Sequence, residues 1–290
     1  MIRLVGILVG LVFTTVVLIT FAVGAYTAAT EPAEHPAYYE FLEEPRAPQG
    51  GYTFEGPFGK WDVAQLQRGY QVYKEVCSAC HSLKFVAFRD LAQLGYTEAQ
   101  VKAEAATWQV PGIDANTGEA NMRPALPTDY FPSPYPNSVA AAAANNNAIP
   151  PDLSLMTKAR HEGSHYVYSL LTGYRDPQTY TNEAGERFAE AAPESVPPTG
   201  LYFNPWFANI NLAMAPPLSQ GAVTYSDGTP ATVDRMASDV AAFLTWTAEP
   251  KLVARKQTGW PVLFFILFAT ILAWFAKKQV WSDAKPKRRD

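Results

Sequence analysis

The chain has 290 residues, 48% of them hydrophobic, and a formal net charge of −4. That length suits one or two domains. Two cysteines leave little room for disulfide stapling, and 24 prolines with 18 glycines favour long ordered loops over a dense helical bundle.

In chain order, the first element is an apolar run from Leu4 to Val23, whose twenty residues would span about 30 Å as a helix. It reads either as a retained anchor or as a removed signal. Val23-Gly24-Ala25 and Thr27-Ala28-Ala29 both resemble cleavage sites, but the apolar core is long and its positive end has only Arg3, so a retained anchor is preferred. Residues 31–60 are irregular. Asp62 then opens a helical pattern with Gln65 as capping-box partner. Val63, Leu66, Tyr70, Tyr73 and Cys77 recur at helical spacing. Gly69 in mid-pattern costs about 1 kcal/mol relative to Ala and predicts close contact with a second helix.

Glu98 to Trp108 is predicted as a short helix. Residues 109–152 read as loop around a short helix at 140–144. Leu153 to Thr172 reads helical, and 173–231 as loop with short strands. Asp234 to Thr247 is the last helix before the anchor, with Thr232 as N-cap and Val233, Met236, Val240, Phe243, Leu244 and Thr247 on one face. A second apolar run, Trp260 to Ala276, is followed by Lys277, Lys278, Lys285, Lys287, Arg288 and Arg289. By the positive-inside rule that tail is cytoplasmic. The expected divisions are an N-terminal segment over 1–29, an external domain over 30–250, an anchor over 251–280 and a basic tail over 281–290. From Tyr26 to Pro250 there are 13 Lys and Arg against 25 Asp and Glu, a net −12. Such an acidic body suits a basic protein partner and argues against nucleic acid.

Cys77-Ser78-Ala79-Cys80-His81 is a C-x-x-C-H motif, the attachment signature of a c-type haem. Two thiols at this spacing can each add to a haem vinyl group, and the following imidazole can reach the iron. Such attachment occurs outside the bacterial cytoplasm. A redox dithiol or half a zinc site is the rival, but no further Cys exists and only His161 and His165 could complete a metal set. The sixth iron position has Met122, Met156, Met214, Met236, His35, His161 and His165 as candidates. Met236 and Met156 fall on helical patterns and read as core. Met214 is followed by Ala215-Pro216-Pro217, and prolines lower the entropy lost in holding a ligand loop. A thioether also suits an electron carrier.

Longer blocks extend the pattern: Gly56-Pro57-Phe58-Gly59-Lys60, Arg68-Gly69-Tyr70-Gln71-Val72-Tyr73, Asp129 to Asn137, Asn145 to Ser154, Lys158 to Gly163, Tyr166 to Tyr174, Leu201 to Phe207, Met214-Ala215-Pro216-Pro217 and Asp227 to Thr232. In this order they resemble the cytochrome c1 family of the quinol–cytochrome c reductase (bc1) complex, of alphaproteobacterial type. The resemblance implies a mostly α fold: a cytochrome c-like haem domain with long loop insertions and a C-terminal transmembrane helix. It implies one haem c attached through Cys77 and Cys80, with His81 and Met214 on the iron. Arg160 matches the arginine placed on a haem propionate. Tyr135, Asn145 and Tyr166 match positions beside the haem, and Pro150, Pro151, Leu170, Leu171, Phe207 and Pro216 match its apolar lining. Asn147 stands where many relatives have Gly, which leaves the local loop geometry open. The acidic loop 176–200 finds no place in the pattern.

The function so implied is electron transfer from the Rieske iron–sulfur protein to a c-type cytochrome, beside cytochrome b in a dimeric complex. Quinol chemistry would belong to cytochrome b. The haem domain is expected on the periplasmic side of the bacterial inner membrane. The acceptor is expected to present a basic face to Glu40–Glu44 or Glu183–Glu194. A stand-alone tethered cytochrome and a peroxidase-like haem enzyme are the alternatives; a Met-ligated iron speaks against the second.

Overall fold

The structure is a computed structural model that describes residues 2–31 and 35–282. Of the basic tail, Lys285, Lys287, Arg288 and Arg289 lie outside the described residues.

Two long helices bracket the chain. α1 (Ile2–Thr30) is exposed along its length, and α9 (Leu252–Val280) is exposed beyond its first turns. Both are long and apolar enough to cross a membrane. Between them the regular structure is mostly short helices joined by long irregular loops, and its strands form two small antiparallel pairs.

The core is built on the crossing of α2 (Val63–Glu75) with α8 (Val233–Ala248). Asp62 caps α2 by accepting the Gln65 N–H at 3.1 Å. Gln65 does not return the capping-box bond; its side chain instead donates to Ser238 on α8 at 3.2 Å. The α8 interface has claimed that amide. Gly69 sits at the crossing, where a Cβ would collide with the Asp239 carbonyl and the Phe243 Cβ. Beside it, Arg68 holds the fully buried Asp239 carboxylate at 2.8 Å. Thr232 caps α8 through the Arg235 N–H, as its sequence predicts. α8 is buried almost all round, so its apolar face is much wider than the stripe read from the sequence.

Two further expectations need correction. The predicted helix over 153–172 is broken. It divides into α5 (Met156–Ala159) and α6 (Gly163–Thr172), because Arg160 is extended and Glu162 takes a left-handed φ of 59°. The 109–152 stretch holds, besides α4 (Ser138–Ala144), a hairpin of β1 (Gln109–Ile113) and β2 (Ala120–Pro124). Pro111 and Gly112 hide that strand from propensity, but its partner supplies the ladder. α3 (Glu98–Ala106) forms close to its predicted bounds, with a Thr97–Gln100 capping box.

The 176–200 loop closes a second, smaller core. Phe188 of α7 (Phe188–Ala191) meets Phe41, Ala192, Phe203 and Ile210. Phe203 lies on β3 (Tyr202–Phe203), which pairs with β4 (Asn211–Leu212).

Candidate haem site

The C-x-x-C-H residues follow α2 directly. The helix ends at Glu75, and Cys77–Ala79 make one tighter turn, with the Cys80 and His81 N–H groups both bonded to the Cys77 carbonyl. Both cysteines are half-buried, and Cys77 packs on the main core. Burial, with the neighbouring Cys80 second, pushes the Cys77 thiol up to about 12.

His81 is oriented from 70 positions along the chain. Its Nδ1 lies 2.8 Å from the Pro151 carbonyl oxygen. A carbonyl only accepts, so Nδ1 carries the proton and Nε2 keeps its lone pair for a metal. Burial lowers the His81 pKa, against the opposing pull of the Pro151 bond and the Asp152 charge. The ring is therefore held in the neutral form a ligand needs.

Asp152 fixes Pro151 in place. Its carboxylate accepts from the Ser82 hydroxyl at 2.8 Å, the Lys84 N–H at 2.9 Å and the Ser154 N–H at 3.0 Å. Leu153 N–H donates to the Ser82 carbonyl, and Phe85 N–H to the Ser154 hydroxyl. These bonds stitch the segment after His81 to the segment after Pro151. Sequence reading placed Pro151 among the apolar lining residues, whereas the structure also uses its carbonyl. The Asp152 clamp was missed, although Ser82, Asp152 and Ser154 flank residues already singled out.

Other expected site residues sit around this stitch. The Tyr135 hydroxyl lies 3.8 Å from Cys80 Sγ. Tyr166 and Leu171, both on α6, pack on the same core as Cys77. Arg160 lies 6.0 Å from the Tyr166 ring centroid and, among the described residues, has no ion pair. It is exposed. Asn145 ends α4, its amide donating to the Ala141 carbonyl. Asn146 and Asn147 both take left-handed φ, 52° and 62°. Asparagine tolerates that region better than other non-glycine residues, so Asn147 can adopt a turn that glycine would. Pro150 is half-buried just before the clamp. Leu170 and Phe207 are joined through Asn204, whose amide donates to the Leu170 carbonyl and whose carbonyl accepts the Phe207 N–H. Pro216 lines an open cleft with Tyr174, Leu201 and Tyr202.

The candidates for the sixth ligand separate by surroundings. Met236 is fully buried in α8. Met122 lies on β2 and is 58% exposed. Met156 packs on the main core. His35 stacks on Tyr39, His161 is exposed, and His165 Nε2 lies 2.6 Å from Glu55. Met214 is half-buried in an irregular segment after β4, and its carbonyl accepts the Tyr174 hydroxyl at 2.9 Å. The two half-buried thiols and the imidazole oriented through its Nδ1 fit a covalently attached haem.

Residues 52–284 match the family described as the Cytochrome C1 family. The chain is 44% identical over 258 residues to "Cytochrome b/c1" of Bradyrhizobium diazoefficiens, covering 84% of this chain but 38% of that longer relative. It is 43% identical over 240 residues to "Cytochrome c1" of Rhodospirillum rubrum, covering 81% of this chain and 87% of the relative. A plant protein, "Cytochrome c1-2, heme protein, mitochondrial" of Solanum tuberosum, is 42% identical over 264 residues, covering 91% and 93%.

Proposed function

The chain belongs to the Cytochrome C1 family of haem-containing electron carriers of the bc1 complex, and from that premise we propose how its own residues do the work. One haem c, bound through Cys77 and Cys80, would supply a reversible one-electron couple. In this reading His81 Nε2 and the Met214 thioether would hold its iron. The observation that carries it is the His81 Nδ1–Pro151 bond, because it frees the ligand nitrogen immediately after the two cysteines.

Each surrounding group then has a task. Met/His ligation raises the potential of the couple. Pro216 and Pro217 restrict the Met214 segment, and Tyr174 holds its backbone, so little freedom remains to be lost on ligation. Arg160 provides the cation for a haem carboxylate. Tyr135, Asn145, Pro150, Tyr166, Leu170, Leu171, Phe207 and Pro216 border the group and limit water.

The electron comes from a Rieske iron–sulfur protein and leaves to a c-type cytochrome with a basic face. Cytochrome b is the neighbour that oxidises quinol, and the complex is a dimer. α9 anchors the domain on the periplasmic side of the bacterial inner membrane, with the C-terminus cytoplasmic, and α1 is a second anchor or a signal. The domain boundaries read from the sequence are kept: an external domain over 30–250 and an anchor over 251–280. The test is purification of the tagged chain from its native membrane. Co-purification with a b-type cytochrome, an iron–sulfur protein and quinol oxidation is the expected result. A haem-loaded chain that purifies alone and reduces an oxidase directly would favour the stand-alone tethered cytochrome.

A further inference from the structure

α9 does not begin at its apolar run. Leu252 is buried in the main core, and Lys256 donates to the Phe54 and Gly56 carbonyls, at 2.8 Å each. One turn further on, Trp260 stacks on Phe58, with ring centroids 5.7 Å apart and planes at 17°. The helix and the 54–60 loop are thus clamped together at two levels. Gly56, at φ 68°, starts the loop. Gly59 closes it where a Cβ would collide with the Phe54 and Glu55 carbonyls. The loop is therefore a shaped tip.

Its end is Phe58, which is 77% exposed despite the stacking. Trp260 begins the apolar run, and Val262, Leu263, Phe264 and Phe265 are all more than half exposed. From Trp260 to Lys277 the helix rises about 26 Å, close to the roughly 30 Å of a hydrocarbon core. Phe58 therefore lies level with one end of that run. Lys60, two residues on, is exposed and has no ion pair among the described residues. An apolar ring and a free cation at the edge of an apolar helix match the chemistry of a lipid interface.

We propose that the 56–59 loop is a membrane-contact element. Phe58 enters the headgroup–acyl boundary beside Trp260, and Lys60 reaches lipid phosphates. With the Lys256 clamp, this gives the outer domain a second point of contact and fixes its height and tilt. The proposal rests on the reading of α9 as a membrane span.

Haem attachment consumes Cys77 and Cys80, the chain's only cysteines, so Phe58→Cys leaves one free thiol in the haem-loaded protein. A nitroxide on that thiol, in the full chain reconstituted in phosphatidylcholine–phosphatidylglycerol nanodiscs, reports collision with oxygen against collision with a water-soluble nickel chelate. Leu263→Cys marks the apolar run, and Ala115→Cys in the hairpin turn marks water. The expected oxygen-to-nickel ratio at 58 is several-fold above that at 115 and below that at 263. A ratio at 58 equal to that at 115, with 263 oxygen-rich, overturns the proposal and leaves the span intact. Shielding of 58 from both reagents means protein covers the loop, and it also overturns the proposal. A nickel-rich label at 263 removes the span and the proposal together. If Phe58→Cys loses haem, Pro57→Cys on the same exposed tip takes its place with the same expected ratios.

Discussion

Asp152 holds Pro151, Pro151 holds His81, and the chain of contacts makes a remote carboxylate part of the support for the proposed iron ligand. Burial alone would raise the Asp152 pKa, but its hydrogen bonds outweigh burial and the pKa is lowered. The sign of the pH effect follows. A carboxylate depressed in the folded state contributes stability fully present above its unfolded pKa of about 3.9, and that contribution is lost as pH falls through the folded value. Asp152→Asn replaces one accepting oxygen with a donor facing donors. It should destabilise the haem-loaded protein by about 1–3 kcal/mol at neutral pH and flatten its acid-unfolding limb. Thermal melts across a pH series measure both, and an unchanged limb would remove Asp152 from the clamp. Arg160 is exposed, so its pairing is screened. Arg160→Gln should cost no more than about 1 kcal/mol but shift the midpoint potential. Wild-type potential in that variant would place Arg160 away from the haem. The motif itself was readable because its chemistry is local in sequence. The clamp was not, because its halves are about seventy residues apart and each half alone reads as an ordinary loop.

At the scale of elements, the α2–α8 crossing decides stability. Gly69→Ala gains about 1 kcal/mol of helix propensity but forces an overpacked crossing that costs about 1–3 kcal/mol, so the net change should be destabilising. A raised melting temperature would show that the helices can part there at little expense. Arg68→Leu leaves the buried Asp239 carboxylate without its guanidinium and should destabilise by about 3–5 kcal/mol. Chemical denaturation of the haem-loaded protein gives the value, and a loss under 1 kcal/mol would mean that water or Tyr225 replaces the pair. Gly69 announced this crossing in the sequence, since a glycine inside a strong helical pattern needs a packing reason. The break between α5 and α6 was concealed because Met156 to Thr172 keeps helical periodicity, while the extended Arg160 and the left-handed Glu162 that interrupt it leave no mark in that pattern. The β1–β2 hairpin was concealed by Pro111 and Gly112, which single-strand propensity counts against a strand.

Across the whole molecule, the small core changes how the acidic surface is read. Phe41, beside Glu40, Glu43 and Glu44, packs edge-on against Phe188 at 5.3 Å. Glu43 also accepts the Tyr180 hydroxyl at 2.7 Å. The Glu40–Glu44 and Glu183–Glu194 segments, separate in sequence, thus belong to one lobe. If the acceptor docks there, electron transfer to a basic cytochrome c should slow steeply with salt, as the screening length falls from about 10 Å at 0.1 M to about 3 Å at 1 M. Charge reversal in either segment should then flatten the salt dependence, where the sequence alone suggested that one segment would matter. A rate independent of ionic strength would end the docking idea. The central claim concerns the iron. X-ray absorption of the oxidised, haem-loaded chain reads its neighbours directly. The account predicts one sulfur beside the ring and imidazole nitrogens, present in wild type and in Met156→Leu and absent in Met214→Leu, whose reduced form should also bind carbon monoxide. Nitrogen alone in the wild type, or a sulfur that survives Met214→Leu, would contradict it.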